Sequence, residues 1–269
     1  MQDPSKPIWV DKKIELTPRK PSIFVATPVH SEVSIHFAQA CLEFQKNCMK
    51  NGNLVMFQFM KSSLVTQGRN LCVSSFMESK CDYLLFIDSD IDFQSQTIFS
   101  MIETNKDLIS VPYPLKTLSW DRAWKKIENG TVKNAEQLSK SLYTYPMRLA
   151  ESHDNITVNK GVIEVTHSPT GCMLIKKEVI EKMIKHYSHL EIIQETIVNG
   201  EMITRPHLYN LFDTFYDPET KTFLGEDFAF CKKWRDIGGK CHAYVLDSIT
   251  HVGEHQYCGR FADELIMTK

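Results

Sequence analysis

Apolar patterning predicts an α/β domain with parallel strands and helices on both faces, and three features carry that expectation. Short apolar runs rich in β-formers alternate with segments of helical period. The order over the first half of the chain is strand, helix, strand, helix, strand, which calls for crossover connections. Two of those strands stop abruptly, one at Thr27-Pro28 and one at Asp88-Ser89-Asp90.

Residues 22–26 form the first apolar run and Thr27-Pro28 closes it as a turn. Residues 36–50 carry Phe37, Cys41, Leu42, Phe44, Cys48 and Met49 at helical spacing, and Asn51-Gly52 is a helix stop. Residues 54–60 read as the second strand. Residues 68–80 read as a helix through Leu71, Cys72, Val73, Phe76 and Met77. Residues 83–87 are unbroken apolar and end on acid. In such sheets ligands sit beyond the carboxyl ends of the strands, so Thr27-Pro28 and Asp88-Ser89-Asp90 are expected on one rim.

The stretch 112–160 is expected to be irregular. It mixes Tyr113-Pro114, Trp120, Trp124, Tyr143 and Tyr145-Pro146 with polar residues, and long irregular segments in compact domains are often functional. Further on, 162–165 and 171–175 read as strands, 176–187 as a helix, and 228–237 as a helix closed by Gly238-Gly239.

The chain has 269 residues, 42% of them apolar, enough for a full-sized core. Lys and Arg number 31 against 33 Asp and Glu, a balance that gives no nucleic-acid footprint. Residues 1–20 are polar with three prolines and read as an extended arm. They hold no apolar signal core, and no run in the chain is long enough for a membrane span. The eight cysteines are scattered without a C-x-x-C pair and read as reduced thiols, so a cytoplasmic setting is expected. The glycan-acceptor matches at Asn129 and Asn155 are chance matches in that setting.

Four constellations carry chemistry. Asp88-Ser89-Asp90 offers carboxylates at i and i+2, able to converge on one side of an extended backbone and hold a divalent cation against a diphosphate. The bland alternative is a strand-ending turn. Asp92 is secondary. Gly225-Glu226-Asp227 heads a helix whose stripe Phe230, Cys231, Trp234, Ile237 would pin it to the core, so a carboxylate there could act as general base. Ordinary helix capping explains acids there equally well. His251-Val-Gly-Glu-His255 could close a metal site, but Gly253 and the missing Glu after the first His argue against a zinc-protease helix. Gly68-Arg69-Asn70 could place a guanidinium on phosphate or a base.

The order of these motifs resembles the GT-A glycosyltransferases, in particular the family 2-like, mostly inverting branch. The resemblance runs from about Ser22 to about Gly259. Gly-Arg-Asn-Leu at 68–71 and Cys-Asp-Tyr-Leu-Leu-Phe-Ile-Asp-Ser-Asp at 81–90 are similar to the family's R-N stretch and D-x-D strand. Thr170-Gly-Cys-Met-Leu-Ile175 is similar to its T-G-x-x-L-I strand, Gly-Glu-Asp-Phe-Ala-Phe-Cys at 225–231 to its x-E-D helix, and His251-Val-Gly253 to its late H-x-G.

The resemblance implies a single GT-A, Rossmann-like domain over 21–269, with a mixed central sheet and helices on both faces. It implies a nucleotide-binding half at about 21–111 and an acceptor and catalytic half at about 112–260. Asp90 is then the principal metal ligand for Mn²⁺ or Mg²⁺, Asp88 contacts ribose or metal, and His251 completes the metal shell. Asp227 is the catalytic base, with Glu226 as fallback. Thr27, Pro28, Arg69, Asp88, Ser89, Tyr113 and Lys116 serve the nucleotide and donor; Thr170, Gly171 and Trp120 lie on the acceptor side. The implied partners are a nucleotide sugar, with UDP the assumed base, and a carbohydrate, protein or lipid-linked acceptor. Inversion is expected.

Competing readings are a nucleotidyltransferase, a non-catalytic sugar-binding relative and a metallohydrolase. The first would carry a Gly-rich basic loop where this chain has Thr-Pro-Val-His-Ser-Glu. The second has no need for Asp90, Asp227 and His251 together.

Overall fold

The computed structural model describes residues 19–150, 156–198 and 201–254. Most of the arm expected over residues 1–20, together with Asn155, His255 and Cys258, lies outside them.

In the first part of the chain, β1 (Ile23–Val29), α1 (Ile35–Asn51), β2 (Val55–Lys61), α2 (Val65–Glu78) and β3 (Tyr83–Ile87) follow one another as expected. The next elements are β4 (Ile91–Asp92), α3 (Ser95–Glu103), β5 (Leu108–Ser110), α4 (Trp120–Glu128), α5 (Ala135–Ser141) and β6 (Arg148–Leu149). The remainder holds β7 (Val162–His167), β8 (Cys172–Lys176), α6 (Lys177–His186), β9 (Glu195–Val198), β10 (Glu201–Thr204), β11 (Phe215–Asp217) and β12 (Thr222–Leu224). It closes with α7 (Glu226–Asp236), β13 (Cys241–Tyr244) and β14 (Thr250–His251).

An eight-stranded sheet orders them β2-β1-β3-β8-β5-β13-β7-β6. β1 runs parallel to β2 and β3, and β5 parallel to β13, while β8 and β7 run antiparallel to their neighbours. The sheet is therefore mixed, as the resemblance implies. β8, from the second half of the chain, lies between β3 and β5 of the first half.

Strand residues alternate between two apolar layers. Phe24, Leu84, Phe86, Met173 and Ile175 pack under α2, α6 and α7 through Phe76, Met183 and Phe230. Ile23, Val25, Leu85, Ile87 and Leu174 pack under α1 and α3 through Phe37, Phe44 and Ile98. Helices thus cover both faces, and this α/β class is the one expected. β1 pairs with β2 on one side and β3 on the other, so the strand order reverses at β1 and β3. Their carboxyl ends form the crevice where such sheets bind ligands.

One expectation needs correction, and one ladder is new. The stretch 112–160 is not wholly irregular, because α4 and α5 lie within it and pack on each other. Asn134 caps α5 by accepting from the Gln137 backbone N–H. α4 carries an apolar stripe of Trp120, Ala123, Trp124 and Ile127, yet it buries only Ala123 and leaves Trp120 and Trp124 in solvent. The short β4 and β14 were not expected at all. They pair antiparallel with Thr250 opposite Asp92 and His251 opposite Ile91.

Among the described residues no helix is long and apolar enough to cross a membrane. The seven described cysteines are buried and unpaired.

Candidate functional site

The site is built on the turn that ends β3. Ile91 N–H donates to the Asp88 carbonyl at 3.1 Å, so Asp88-Ser89-Asp90 is a tight turn. The expectation of two carboxylates converging from extended backbone is therefore corrected. The turn sends the side chains to different partners.

Asp88 belongs to Arg69. Arg69 Nη2 donates to Asp88 Oδ1 at 3.0 Å and its Nε to Glu226 Oε1 at 3.2 Å. The arginine side chain is 3% exposed and its guanidinium lies 5.3 Å from the Phe86 ring centroid. Burial opposes its charge, but Asp88 and Glu226 outweigh burial and hold the pKa above the ordinary arginine value. Its Nη1 is buried with no hydrogen-bond partner among the described residues. A buried cationic donor left open is suited to an anionic ligand oxygen.

Asp90 belongs to a second set. Its Oδ2 lies 2.5 Å from Lys116 Nζ and 3.4 Å from His251 Nε2. Burial pushes the Asp90 carboxyl up, but His251 and Lys116 outweigh it and bring it down to about 2. His251 is delivered by the β4–β14 ladder and by Val252 N–H donating to the Asp90 carbonyl at 2.8 Å. Its Nδ1 lies 2.9 Å from the Pro114 carbonyl, which can only accept, so Nδ1 carries a proton. Nε2 is the nitrogen left facing the carboxylate, the orientation ligating histidines commonly take.

Tyr113 joins the two sets. It is buried, its ring lies 4.9 Å from that of His251, and it packs on Gly171 so closely that a Cβ there would lie 2.4 Å from Tyr113 Cε1. Burial, then the Asp88 carboxylate, raise its phenol above the ordinary tyrosine value, so it stays a hydroxyl donor. Gly171 also accepts from Asp88 N–H at 3.0 Å, tying β8 to the turn.

Asp227 is the carboxylate left over. It sits in the first turn of α7, whose N-cap Gly225 offers no side chain. Burial, then neighbouring Glu226, push its carboxyl up to about 6, against the Phe228 N–H that it accepts at 2.7 Å. The two acids of the motif therefore differ: Glu226 is neutralised by Arg69, while Asp227 is poised to exchange a proton near neutral pH.

Other expected residues fall elsewhere. Thr27 is fully buried and its hydroxyl has no partner among the described residues. Pro28 packs beside Gly68, where an added Cβ would lie 3.3 Å from Pro28 Cβ. Ser89 contributes its carbonyl, which accepts from Ser34 N–H at the start of α1. Thr170 is buried at the β7–β8 connection. Trp120 lies on α4 and is 60% exposed. The sequence reading missed Asn70 as a clamp. Its amide donates to Asn210 Oδ1 and the Phe212 carbonyl and accepts from Phe212 N–H, which seats Phe212 against Phe86 and Phe230.

No family profile matches this sequence, and no curated protein does. The solved structures similar to it include three of low identity. A197 from STIV is 16% identical, with a TM-score of 0.43 over 90% of this chain and 98% of that one. A glycosyltransferase involved in the glycosylation of the major capsid of PBCV-1 is 10% identical, with a TM-score of 0.31 over 62% and 66%. The 4-diphosphocytidyl-2C-methyl-D-erythritol synthase from Anaerococcus prevotii DSM 20548 is 8% identical, with a TM-score of 0.32 over 67% and 81%. Likeness at this level carries no argument about activity.

The donor set suits a divalent cation only as a half-site. Asp90 and His251 come together, but no cluster of three His, Cys, Asp or Glu side chains is assembled among the described residues. The carboxylate oxygen suits Mn²⁺ or Mg²⁺, which fill their shells with water and phosphate oxygens, and the imidazole nitrogen favours Mn²⁺ over the harder Mg²⁺.

Proposed function

We propose that the chain is a metal-dependent glycosyltransferase that moves a sugar from a nucleotide-sugar donor, a UDP-sugar, to a hydroxyl of a glycan, protein or lipid acceptor with inversion. The observation that carries this reading is the division of labour among the acids at one rim. Asp90 is paired with His251 and Lys116, Asp88 and Glu226 neutralise Arg69, and Asp227 alone is held at about 6.

Asp90 and His251 would hold the cation, with the remaining positions left to water and diphosphate. That ion supplies Lewis-acid neutralisation of the leaving diphosphate. Arg69 keeps its charge because Asp88 and Glu226 fix it, and its open Nη1 can donate to a diphosphate oxygen. Asp227 takes the proton from the acceptor hydroxyl, and that oxygen attacks the anomeric carbon as the diphosphate departs. Tyr113, packed on Gly171 and His251, keeps the floor between the two sets rigid.

The test is release of sugar from a panel of nucleotide sugars, with Mn²⁺, Mg²⁺ or EDTA. One donor should be turned over with metal and not with EDTA, and Asp227→Asn should remove turnover while leaving donor binding. Binding without turnover under every metal and acceptor condition would replace this reading with that of a sugar-binding relative. Formation of nucleotide sugar from nucleotide triphosphate would replace it with a nucleotidyltransferase.

A further inference from the structure

We propose that Lys116 is a tethered counter-ion for Asp90, which occupies the carboxylate until a divalent cation binds and then turns to the donor diphosphate. This rests on the donor-site reading given above. Lys116 Nζ and His251 Nε2 converge on the same atom, Asp90 Oδ2, at 2.5 and 3.4 Å. The lysine is the nearer of the two, so it stands where a ligated cation would compete for that oxygen. Like charges at contact distance repel, so an ammonium and a divalent cation do not share the position.

The backbone is shaped for this arrangement. The Lys116 stem crosses Gly253, where an added Cβ would lie 2.7 Å from Lys116 Cδ. Gly253 is set beside the turn by Val252 N–H donating to the Asp90 carbonyl. Two residues before Lys116, the Pro114 carbonyl holds His251 Nδ1. One short stretch, Tyr113-Pro-Leu-Lys116, therefore fixes the histidine and supplies its competitor. The lysine side chain is 41% exposed, so it has a path off Asp90 into the open rim. A lysine suits this task because its charge is compact and its stem flexible.

Two consequences follow. Cation binding to the nucleotide-free protein is weakened, because Lys116 must first leave Asp90. Cation and nucleoside diphosphate then bind with positive coupling, because the diphosphate gives the displaced ammonium a new partner. Lys116 is thus a positioning residue that links the two ligands.

The experiment measures Mn²⁺ affinity by electron paramagnetic resonance of free Mn²⁺, without nucleotide and with saturating UDP. The proteins are the unaltered chain, Lys116→Met, Gly253→Ala and Asp90→Ala. Lys116→Met is expected to bind Mn²⁺ about threefold to tenfold tighter without nucleotide, and to lose most of the gain that UDP brings. Gly253→Ala, which crowds the lysine stem without changing charge, is expected to move affinity the same way. A tightening cannot come from damage to the fold. Unchanged or weaker Mn²⁺ binding in Lys116→Met, with binding still lost in Asp90→Ala, would overturn the counter-ion while leaving the cation site in place. No Mn²⁺ binding by any of the four proteins would overturn both.

Discussion

Arg69 Nη2 lies 3.0 Å from Asp88 Oδ1, and the same guanidinium reaches Glu226 Oε1 through Nε. This bridge joins α2, the end of β3 and the start of α7 across 157 residues of chain. It pairs Asp88 and Glu226 with an arginine, whereas Asp90 pairs with Lys116 and His251.

Removing the arginine strands two partly buried carboxylates. Arg69→Ala is expected to lower the unfolding free energy by about 2–4 kcal/mol, below the full cost of a deeply buried pair because both acids keep some solvent. Urea denaturation of the variant, compared with Asp88→Asn and with the double variant, measures it. The double variant should be less destabilised than the sum of the two. Strict additivity would show that the bridge is not an energetic unit.

The pH profile separates the two acids of α7. A general base works when deprotonated, and burial and Glu226 raise Asp227 to about 6. Donor turnover should therefore rise with pH to a plateau above about 6 and fall tenfold per unit below it. Asp227→Asn should abolish turnover with little loss of stability. Glu226→Gln should retain turnover and destabilise the protein instead. Interchanged outcomes would move the base to Glu226.

Gly171 and Tyr113 form a close packing pair. Gly171→Ala places a Cβ 2.4 Å from Tyr113 Cε1, so the ring must give up its present position beside His251. The expected cost is about 1–3 kcal/mol in stability, with weakened nucleotide binding. Combining it with Tyr113→Ala should relieve the clash, which a double-mutant cycle by thermal denaturation would register as a favourable coupling.

Asp82 anchors the sheet at its amino-terminal end. Its carboxylate accepts from Ser22 N–H and Oγ, each at 2.7 Å, and from Arg19 Nη2 at 2.7 and 2.9 Å. Partial burial opposes ionisation, but these donors outweigh it and lower the Asp82 pKa. A lowered carboxyl stabilises the fold above the ordinary aspartate range, and that stability is lost as pH falls through the lowered value. Asp82→Asn is expected to cost less than about 1 kcal/mol at neutral pH, because the carboxylate is 37% exposed and its pairing is screened by solvent, and the difference from the unaltered protein should close toward acid. Denaturation midpoints at a series of pH values check this.

Much of the scaffold can be read in the sequence because it is written in long patterns. β3 is a continuous apolar run, β1 and β8 are apolar over residues 23–26 and 172–175, and α1 and α7 bury stripes at helical spacing. Asp90, His251, Arg69, Glu226 and Asp227 were therefore legible as candidates, though not their pairing. What joins them is short or tertiary. The β4–β14 ladder has two residues per strand, too few for any period to show. That Asp88 turns to Arg69 follows from a hydrogen-bonded turn that the letters D-S-D equally allow or forgo. The Asn70 clamp on Phe212 spans 142 residues and has no local signature. Trp120, expected on the acceptor side, stands exposed on α4, a placement that helical spacing alone does not give.

The most direct test of the central claim is the thermal midpoint against nucleoside diphosphates and nucleotide sugars, each with Mn²⁺, Mg²⁺ or EDTA. A ligand at a hundredfold excess over its dissociation constant stabilises the folded state by about 2.7 kcal/mol. A metal-dependent rise for one nucleoside diphosphate, absent in Asp90→Ala, is the predicted result. A folded protein whose midpoint does not move with any nucleotide, with or without metal, would contradict the account.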